Sequence, residues 1–294
     1  MTKLLNKFLI FCKALLGACL KSYYNAVPIQ FVMKKNRCIN KNVVISLTSY
    51  GRRVDSTLRY TLISLIRQTI QPNRITVWLD SNNWNQDNLP KKLIELEKYG
   101  VCFLFCDDMR SYKKLIPLLL TEHEEFIITC DDDLFYCRDM VKRLLEAQEK
   151  LPNTICCQLA HEIRSKDDNV LPYSEWPEEI NDRIGPIVFP LGGSGCLYKK
   201  NLLYEDVCNY KLAQELAPTA DDIWFYCMSI LAGANHYVLP KKWNSCLPLD
   251  VFYQICHKGS SLMDSNLAEG RNDVQLKNIL NFYNISLLPF LKRI

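Results

Sequence analysis

The sequence of 294 residues lacks any run of about 18 apolar residues, the length that a helix needs to span a membrane. It also lacks internal repeats. Neither sign of charge is in large excess, because the chain has 36 lysines and arginines and 32 aspartates and glutamates. The resulting net charge of +4 does not favour nucleic acid as a partner. With 48% apolar residues, the composition indicates an ordinary globular protein with a sizeable core.

Paired CxxC motifs that would hold zinc are also missing, although the chain has 14 cysteines. Several of these cysteines lie inside apolar runs, where a thiol behaves as a small buried hydrophobe: Cys102, Cys106, Cys130, Cys156 and Cys157. A chain of this length does not need disulfides to stabilise a core. We therefore expect mostly reduced cysteines and a cytoplasmic protein.

The first 41 residues are predicted to form a basic amphipathic helix followed by a polar link. At about 100° per residue, one sector of the helix holds Lys3, Lys7, Lys13 and Lys21, and leucines and phenylalanines fill the other. Such a helix is suited to the anionic inner face of the cytoplasmic membrane, but it could equally pack on its own domain. A lipoprotein signal ending at Cys19 is less favoured, because Lys13 interrupts the apolar stretch.

Residues 42–260 alternate short apolar runs with amphipathic segments, which predicts an α/β domain with a mostly parallel sheet flanked by helices. Residues 261–294 are expected to form a C-terminal helical tail. Four predicted strands, at 43–47, 74–79, 101–105 and 126–130, each run into polar residues. The carboxyl ends of parallel strands border one crevice, so these residues are expected to converge. Residues 162–190 are predicted to be a long, functional loop.

Asp131, Asp132 and Asp133 directly follow the fourth strand. Three carboxylates in this position repel one another and lose solvation, so a positive charge should lie close to them. Mg²⁺ or Mn²⁺ is the obvious candidate, since either ion takes carboxylate oxygens and keeps positions for diphosphate oxygens. The alternative is a solvated acidic turn that caps a helix.

A pair of aspartates, Asp221-Asp222, begins a predicted apolar helix. A glycine-rich turn, Gly192-Gly193-Ser194-Gly195, precedes this pair in the sequence. One of the two aspartates is expected to cap the helix, and the other is free for a different role. A helix N-terminus lowers a carboxyl pKa and would weaken a general base unless burial offsets the effect. The glycine turn would let the backbone approach a sugar closely, or it is a plain tight turn.

The motifs follow one another in a definite order along residues 42–258: the first strand, Trp78-Leu79-Asp80, Cys130-Asp131-Asp132-Asp133, the glycine turn before Cys196-Leu197-Tyr198, and Ala220-Asp221-Asp222-Ile223-Trp224. This order resembles GT-A-fold glycosyltransferases, above all bacterial capsule and surface-polysaccharide enzymes related to family two. The resemblance implies a Rossmann-like fold and a requirement for Mn²⁺ or Mg²⁺. It also implies transfer of a sugar from a nucleotide diphosphate sugar to a hydroxyl of a glycan or lipid-linked acceptor.

The resemblance further implies a role for individual residues. The nucleotide would contact Thr48, Ser49, Tyr50, Arg53, Asp80, Asp131, Asp132 and Lys258. The metal would be held by Asp131, Asp133 and His257. Asp222, or Asp221 as second choice, would be the general base. The sugar or acceptor would contact His161, Trp176, Gly193 and Ser194.

A single base opposite the leaving group would invert the anomeric centre, although retention stays open. A sugar nucleotidyltransferase is the nearest alternative, but its usual glycine-rich basic loop is missing, since Ser49-Tyr50-Gly51-Arg52-Arg53 has one glycine. A non-catalytic sugar-binding module at a membrane surface is a further alternative. Arg110, Lys113 and Lys114 are expected to be phosphate or surface contacts, with no preference between the two.

Overall fold

Eight strands form the central sheet of the protein, which we describe from a computed structural model over residues 2–32, 38–121, 125–177, 180–256 and 270–291. In the described residues, this sheet and three two-stranded sheets are formed by the strands β1 Cys38–Thr48, β2 Ile70–Asp80, β3 Val101–Cys106, β4 Phe126–Cys130, β5 Leu134–Tyr136, β6 Thr154–Cys157, β7 Ala160–Glu162, β8 Ser165–Lys166, β9 Asn169–Val170, β10 Arg183–Gly185, β11 Val188–Pro190, β12 Ser194–Tyr198, β13 Asn235–Val238 and β14 Cys246–Pro248.

The α-helices are α1 Thr2–Ala26, α2 Ile29–Val32, α3 Arg53–Ser56, α4 Leu58–Ile66, α5 Lys91–Ile94, α6 Ile116–Thr121, α7 Met140–Lys150, α8 Tyr210–Leu216, α9 Asp221–Leu231, α10 Val251–Cys256, α11 Arg271–Phe282 and α12 Leu288–Leu291. Short 3-10 helices connect several elements, at Glu97–Tyr99, Arg110–Lys114, Tyr173–Glu175, Lys200–Leu202 and Glu205–Cys208.

The central sheet has the order β3-β2-β1-β4-β12-β6-β13-β10. Strand β1 pairs in parallel with β2 and β4, β2 pairs in parallel with β3, and β13 with β6. Strand β12 runs antiparallel between β4 and β6, and β10 is antiparallel to β13. The predicted fold class, α/β with a mostly parallel sheet flanked by helices, is therefore confirmed.

Alternation along β1 shows how the sheet separates two cores. Val43, Ile45 and Leu47 contribute to a core that includes α4 and α7, whereas Val44 belongs to a second core that includes α6 and α9. Successive side chains of a strand point to opposite faces, so a strand covered on both faces is apolar throughout. Because β1, β2, β3 and β4 run parallel to one another, their polar carboxyl ends lie along one edge of the sheet.

Residues 162–190 contain more regular structure than the predicted loop. Strand β11 pairs with β7, β8 pairs with β9 in a hairpin, and β10 joins the edge of the central sheet. The hairpin turns at Asp167 and Asp168, which both have positive φ, a conformation that aspartate tolerates. Strands of two or three residues are too short to show an alternating pattern in the sequence.

Helix α1 packs on the domain through one face. Gly17 lies so close to β14 that a Cβ atom there would be 2.2 Å from the carbonyl oxygen of Pro248. Further along the helix, Tyr24 is buried and its ring stacks on Phe135 of β5 at 5.6 Å between centroids. The structure thus shows the packing alternative for this helix. No helix in the described part of the chain is both long and apolar enough to cross a membrane.

The C-terminal segment also joins the core. Helix α11 packs against α9, and its Leu276 and Ile279 are buried in the second core. The described cysteines, which include all 14, form no disulfide with one another. Burial raises the pKa of several of these thiols, including Cys156 to about 12.

Candidate active site

The three aspartates after β4 differ strongly in their surroundings. Asp132 is buried, and its carboxylate accepts hydrogen bonds from the Ser49 hydroxyl at 2.5 Å and from the Arg53 guanidinium at 3.0 Å. The Thr61 hydroxyl donates to the Asp132 backbone carbonyl at 2.9 Å. Asp132 therefore fixes the turn at the end of β4, and its carboxylate is already engaged by this chain's own donors.

Arg53 supplies part of the positive charge that the aspartates require. Its second guanidinium nitrogen lies 3.0 Å from the Asp133 carboxylate, so one arginine bridges Asp132 and Asp133. Burial still raises the pKa of Asp133 to about 7, with Arg53 acting in the opposite direction. The first strand loop and the aspartate turn are thus joined by a buried ion pair.

Asp131 is the open member of the three, with 47% of its side chain exposed. Its backbone N–H donates to the carbonyl of Gly193 at 2.9 Å, and its carboxylate lies against the Gly193 backbone. A Cβ atom on Gly193 would be 1.9 Å from an Asp131 carboxylate oxygen. The glycine is therefore required for the position that Asp131 occupies.

Lys114 supplies further positive charge, whereas the sequence predicts a phosphate or surface contact for this residue. Its side chain is 5% exposed, and its ammonium lies 2.8 Å from Asp221, 3.4 Å from Asp222 and 3.6 Å from Asp131. Burial alone would lower the pKa of Lys114, but the three carboxylates outweigh it and raise that pKa well above its usual value. A charged lysine thus joins the end of β4 to the start of α9.

The acidic pair does not cap α9, contrary to the sequence prediction. The N-cap residue is Ala220, and the described structure shows no side-chain capping hydrogen bond there. The physical reason is that both carboxylates are drawn to the Lys114 ammonium instead of the helix N–H groups. Neither aspartate is therefore committed to capping the helix.

Burial offsets the effect of the helix N-terminus on Asp222. It raises the pKa of this carboxyl to about 7, while Lys114 acts in the opposite direction. Part of the Asp222 side chain is exposed, whereas Asp221 is buried. Asp222 is consequently the member of the pair that a ligand can reach, and its pKa is suited to accepting a proton near neutral pH.

The glycine turn lies between the two groups of acids. A Cβ atom on Gly192 would be 2.5 Å from an Asp222 carboxylate oxygen, just as one on Gly193 would overlap Asp131. Ser194, in contrast, is buried, and its carbonyl accepts a hydrogen bond from the Gln158 side chain at 2.9 Å. The structure thus brings Gly193 to the acids and places Ser194 inside the sheet.

The other predicted nucleotide contacts lie at the ends of β1 and β2. The Thr48 hydroxyl donates to the carbonyl of Trp78 at 2.9 Å, and the exposed Tyr50 ring lies 5.4 Å from the Arg53 guanidinium. The Asp80 carboxylate accepts from the backbone and side chain of Asn82 at 2.9 and 3.1 Å. Asp80 therefore shapes the turn after β2 in addition to any ligand contact.

Trp176 does not have the exposure that acceptor stacking requires. Its side chain is 3% exposed, and its ring packs against Phe189 and Tyr173. The indole N–H donates to the carbonyl of Leu171 at 2.8 Å, so the polar atom is satisfied internally. His161 lies on β7 with its ring 5.3 Å from that of Tyr173. Both aromatic predictions therefore fall in a packed cluster.

Two predicted residues, His257 and Lys258, lie outside the described residues. The described segment before them is anchored close to the aspartates. The backbone N–H of Leu249 donates to the Asp133 carbonyl at 2.8 Å, and the Asp250 carboxylate accepts from Arg52.

A metal held by protein groups alone does not fit the described residues. Among them no three histidine, cysteine, aspartate or glutamate side chains are grouped to hold an ion. Mg²⁺, however, commonly uses one or two carboxylates together with substrate phosphates. The half-exposed carboxylate of Asp131 fits that second mode, whereas Arg53 and Ser49 already engage Asp132.

Solved structures that resemble this chain include two complexes with nucleotides. S. aureus TarS 1-349 in complex with UDP is 11% identical, with a TM-score of 0.45 over 69% of this chain and 59% of that chain. CMP:2-keto-3-deoxy-manno-octonic acid synthetase complexed with CTP is 12% identical, with a TM-score of 0.42 over 70% of this chain and 91% of that chain. The chain thus spans 59% of the length of that TarS chain.

A third similar structure is 2-C-methyl-D-erythritol 4-phosphate cytidylyltransferase from Thermus thermophilus. It is 14% identical, with a TM-score of 0.40 over 68% of this chain and 87% of that chain. No protein-family model and no curated protein sequence matches the chain.

Proposed function

We propose that the protein is a glycosyltransferase that moves a sugar from a nucleotide diphosphate sugar to a hydroxyl of a glycan or lipid-linked acceptor. One observation carries this proposal: Asp131 and Asp222 lie on either side of the Gly192–Gly193 turn and share the Lys114 ammonium. Asp131, the candidate for binding the donor, and Asp222, the candidate for proton transfer, therefore both border two consecutive glycines, which have no side chains to occupy the space between them.

Asp222 is the proposed general base. The acceptor hydroxyl gives its proton to the Asp222 carboxylate, and the oxygen lone pair forms a bond to the anomeric carbon. The bond from that carbon to the diphosphate oxygen breaks, and the leaving diphosphate keeps the electron pair. A pKa of about 7 suits this step, because such a base is largely ionised just above neutrality and still binds a proton well. Attack opposite the leaving group inverts the anomeric centre.

The donor nucleotide is proposed to lie along the ends of β1 and β2. The exposed ring of Tyr50 offers a stacking surface for a base, and Thr48 and Asp80 border the same edge. Ser49 and Arg53 act through Asp132, whose turn they hold at the end of β4. These residues position the donor more than they react with it.

Mn²⁺ or Mg²⁺ is the proposed cofactor, held by Asp131 with Asp133 as a second candidate ligand. When bound together with the donor, such an ion neutralises charge on the departing diphosphate. His257 and Lys258 stay predictions for the same diphosphate. The cytoplasmic location likewise stays a prediction.

The test is the replacement of Asp222 by Asn, which keeps size and hydrogen-bonding shape but removes the base. We expect turnover of a nucleotide diphosphate sugar to fall by about 10²–10⁴-fold, with nucleotide affinity unchanged by calorimetry. Asp221→Asn gives the comparison within the pair. Asp167→Asn is the matched control, because Asp167 lies in an exposed turn with positive φ that asparagine also adopts.

Three outcomes would count against the assignment. If neither Asp222→Asn nor Asp221→Asn lowers turnover more than a few-fold, the acidic pair has no role in proton transfer. Release of pyrophosphate from a nucleoside triphosphate and a sugar phosphate, without transfer to an acceptor hydroxyl, would instead identify a nucleotidyltransferase. Absence of both reactions with Mn²⁺ and Mg²⁺ would leave a binding module.

A further inference from the structure

Helix α1 carries an apolar face that its packing on the domain does not use. Phe8, Phe11 and Leu15 are 61%, 54% and 50% exposed, and their spacing of three and four residues places them on one side of the helix. Tyr23, also exposed, continues this side towards the end of the helix. We name these four residues the outer stripe. The opposite side, with Ala14, Gly17 and Tyr24, is buried against the domain.

The charge of the chain is divided between its beginning and the rest. The first 41 residues hold eight of the lysines and arginines and none of the aspartates and glutamates, so they carry +8 while the remainder carries −4. The first acidic residue of the chain is Asp55. A cationic segment on an otherwise anionic protein attracts a surface of negative charge.

We propose that the outer stripe docks the protein on an anionic lipid surface, with α1 lying in the plane of the headgroups. Phenylalanine and leucine side chains enter the boundary of the acyl chains, while the +8 charge of the first 41 residues attracts the anionic headgroups. The charge argues against a second copy of the chain as the occupant, because two outer stripes in contact would bring two +8 segments together.

The attachment of α1 to the rest of the molecule makes this docking specific in orientation. Gly17 contacts Pro248 of β14, Tyr24 stacks on Phe135 of β5, and β14 pairs with β5. Strand β5 begins directly after Asp133. The helix that would contact lipid is therefore packed on the two-stranded sheet of β5 and β14, and β5 directly follows the aspartate turn. Binding would fix that sheet relative to the membrane.

The experiment measures flotation of the full chain with lipid vesicles, without donor or acceptor, so its result does not depend on the proposed function. The vesicles contain phosphatidylcholine alone or phosphatidylcholine with about one third phosphatidylglycerol. We expect binding at least about tenfold tighter to the anionic vesicles, and weaker binding as salt rises from about 50 to 500 mM.

Paired substitutions separate the apolar and electrostatic contributions. Phe8→Ser/Phe11→Ser should abolish binding, whereas the matched control Leu120→Ser, which removes an apolar side chain that is 65% exposed on α6, should leave binding intact. Lys3→Gln/Lys7→Gln should remove most of the preference for anionic lipid. Its matched control, Lys166→Gln in the exposed β8, should keep that preference.

Three results would overturn the proposal. The first is unchanged flotation of Phe8→Ser/Phe11→Ser, and the second is equal binding of the parent to neutral and anionic vesicles. The third is a stable dimer of the parent in light scattering that Phe8→Ser/Phe11→Ser dissociates, because the outer stripe would then be an interface between two copies. Near-ultraviolet circular dichroism of each variant verifies that the domain stays folded.

Discussion

Replacing Lys114 by Met is the sharpest test of the electrostatic arrangement in the site. Methionine has nearly the length of lysine and no charge, so the change removes the cation from among Asp131, Asp221 and Asp222 with little change in packing. Breaking a buried ion pair from one side costs about 3–5 kcal/mol in the free energy of unfolding. We expect a loss in this range at pH 8.

The loss should depend on pH because Asp222, left without its cation, can take up a proton. Lys114 lowers the pKa of Asp222, so without Lys114 this pKa in the folded protein lies further above its value in the unfolded chain. The destabilising effect of Asp222 is absent below the unfolded pKa and grows as pH rises towards the folded pKa. For one carboxyl, each unit of added shift contributes about 1.4 kcal/mol. The loss in free energy of unfolding that Lys114→Met causes should therefore be smaller at pH 5 than at pH 8 by about 1–3 kcal/mol.

Lys113→Met is the matched control, since the neighbouring lysine is equally buried but pairs with Asp108, whose side chain is about half exposed. Water can solvate Asp108 when its partner is lost, so the pH-dependent part of the deficit should be much smaller. Urea unfolding monitored by fluorescence at both pH values gives the comparison. A Lys114→Met deficit below about 1 kcal/mol, or one that is equal at pH 5 and pH 8, would refute the reasoning.

Three further predictions concern the same site. Gly193→Ala should lower the free energy of unfolding by about 1–3 kcal/mol in urea and weaken nucleotide diphosphate binding, because the added methyl group overlaps the Asp131 carboxylate; full retention of both would contradict the close approach. The rate constant kcat should rise about tenfold per unit below pH 7 and level off above it, since Asp222 acts as a base only when ionised, and a flat profile from pH 5.5 to 8 would count against that role. Asp131→Asn should lose most of the Mn²⁺-dependent part of nucleotide diphosphate affinity in calorimetry; an unchanged Mn²⁺ dependence would move the ion elsewhere.

The fold and the acidic turn could be predicted because their signals are local. The apolar run of β4 and the three aspartates that follow it are adjacent in sequence, and strand ends in a parallel sheet share one edge. The start of α9 at the acidic pair is also predicted from a local pattern, two aspartates followed by an apolar segment. Short-range patterns were sufficient for these elements.

The role of Lys114 could not be predicted in the same way. It lies 108 residues from Asp222, and only the order of the sheet brings the two together. Three adjacent carboxylates in the sequence indicate that positive charge lies close to them, and the sequence analysis predicts a metal ion as its source. Arg53 and Lys114 supply part of that charge from within the chain. Trp176 illustrates the opposite error, because an aromatic residue in an irregular segment has no sequence signal that separates core packing from ligand stacking.

The insertion of β12 between β4 and β6 has a consequence for how the protein acquires its site during synthesis. The partners of the aspartate turn come from far along the chain, with Gly193 contacting Asp131 and Leu249 contacting Asp133. Contacts of such sequence separation form late, because long loops must close first. A nascent chain that ends before β12 has the aspartates but not the glycine turn that positions them. Until β12 has emerged, one edge of β4 is unpaired and can be recognised by chaperones. Ribosome-bound chains should bind nucleotide only later, after β14 and Leu249 have emerged.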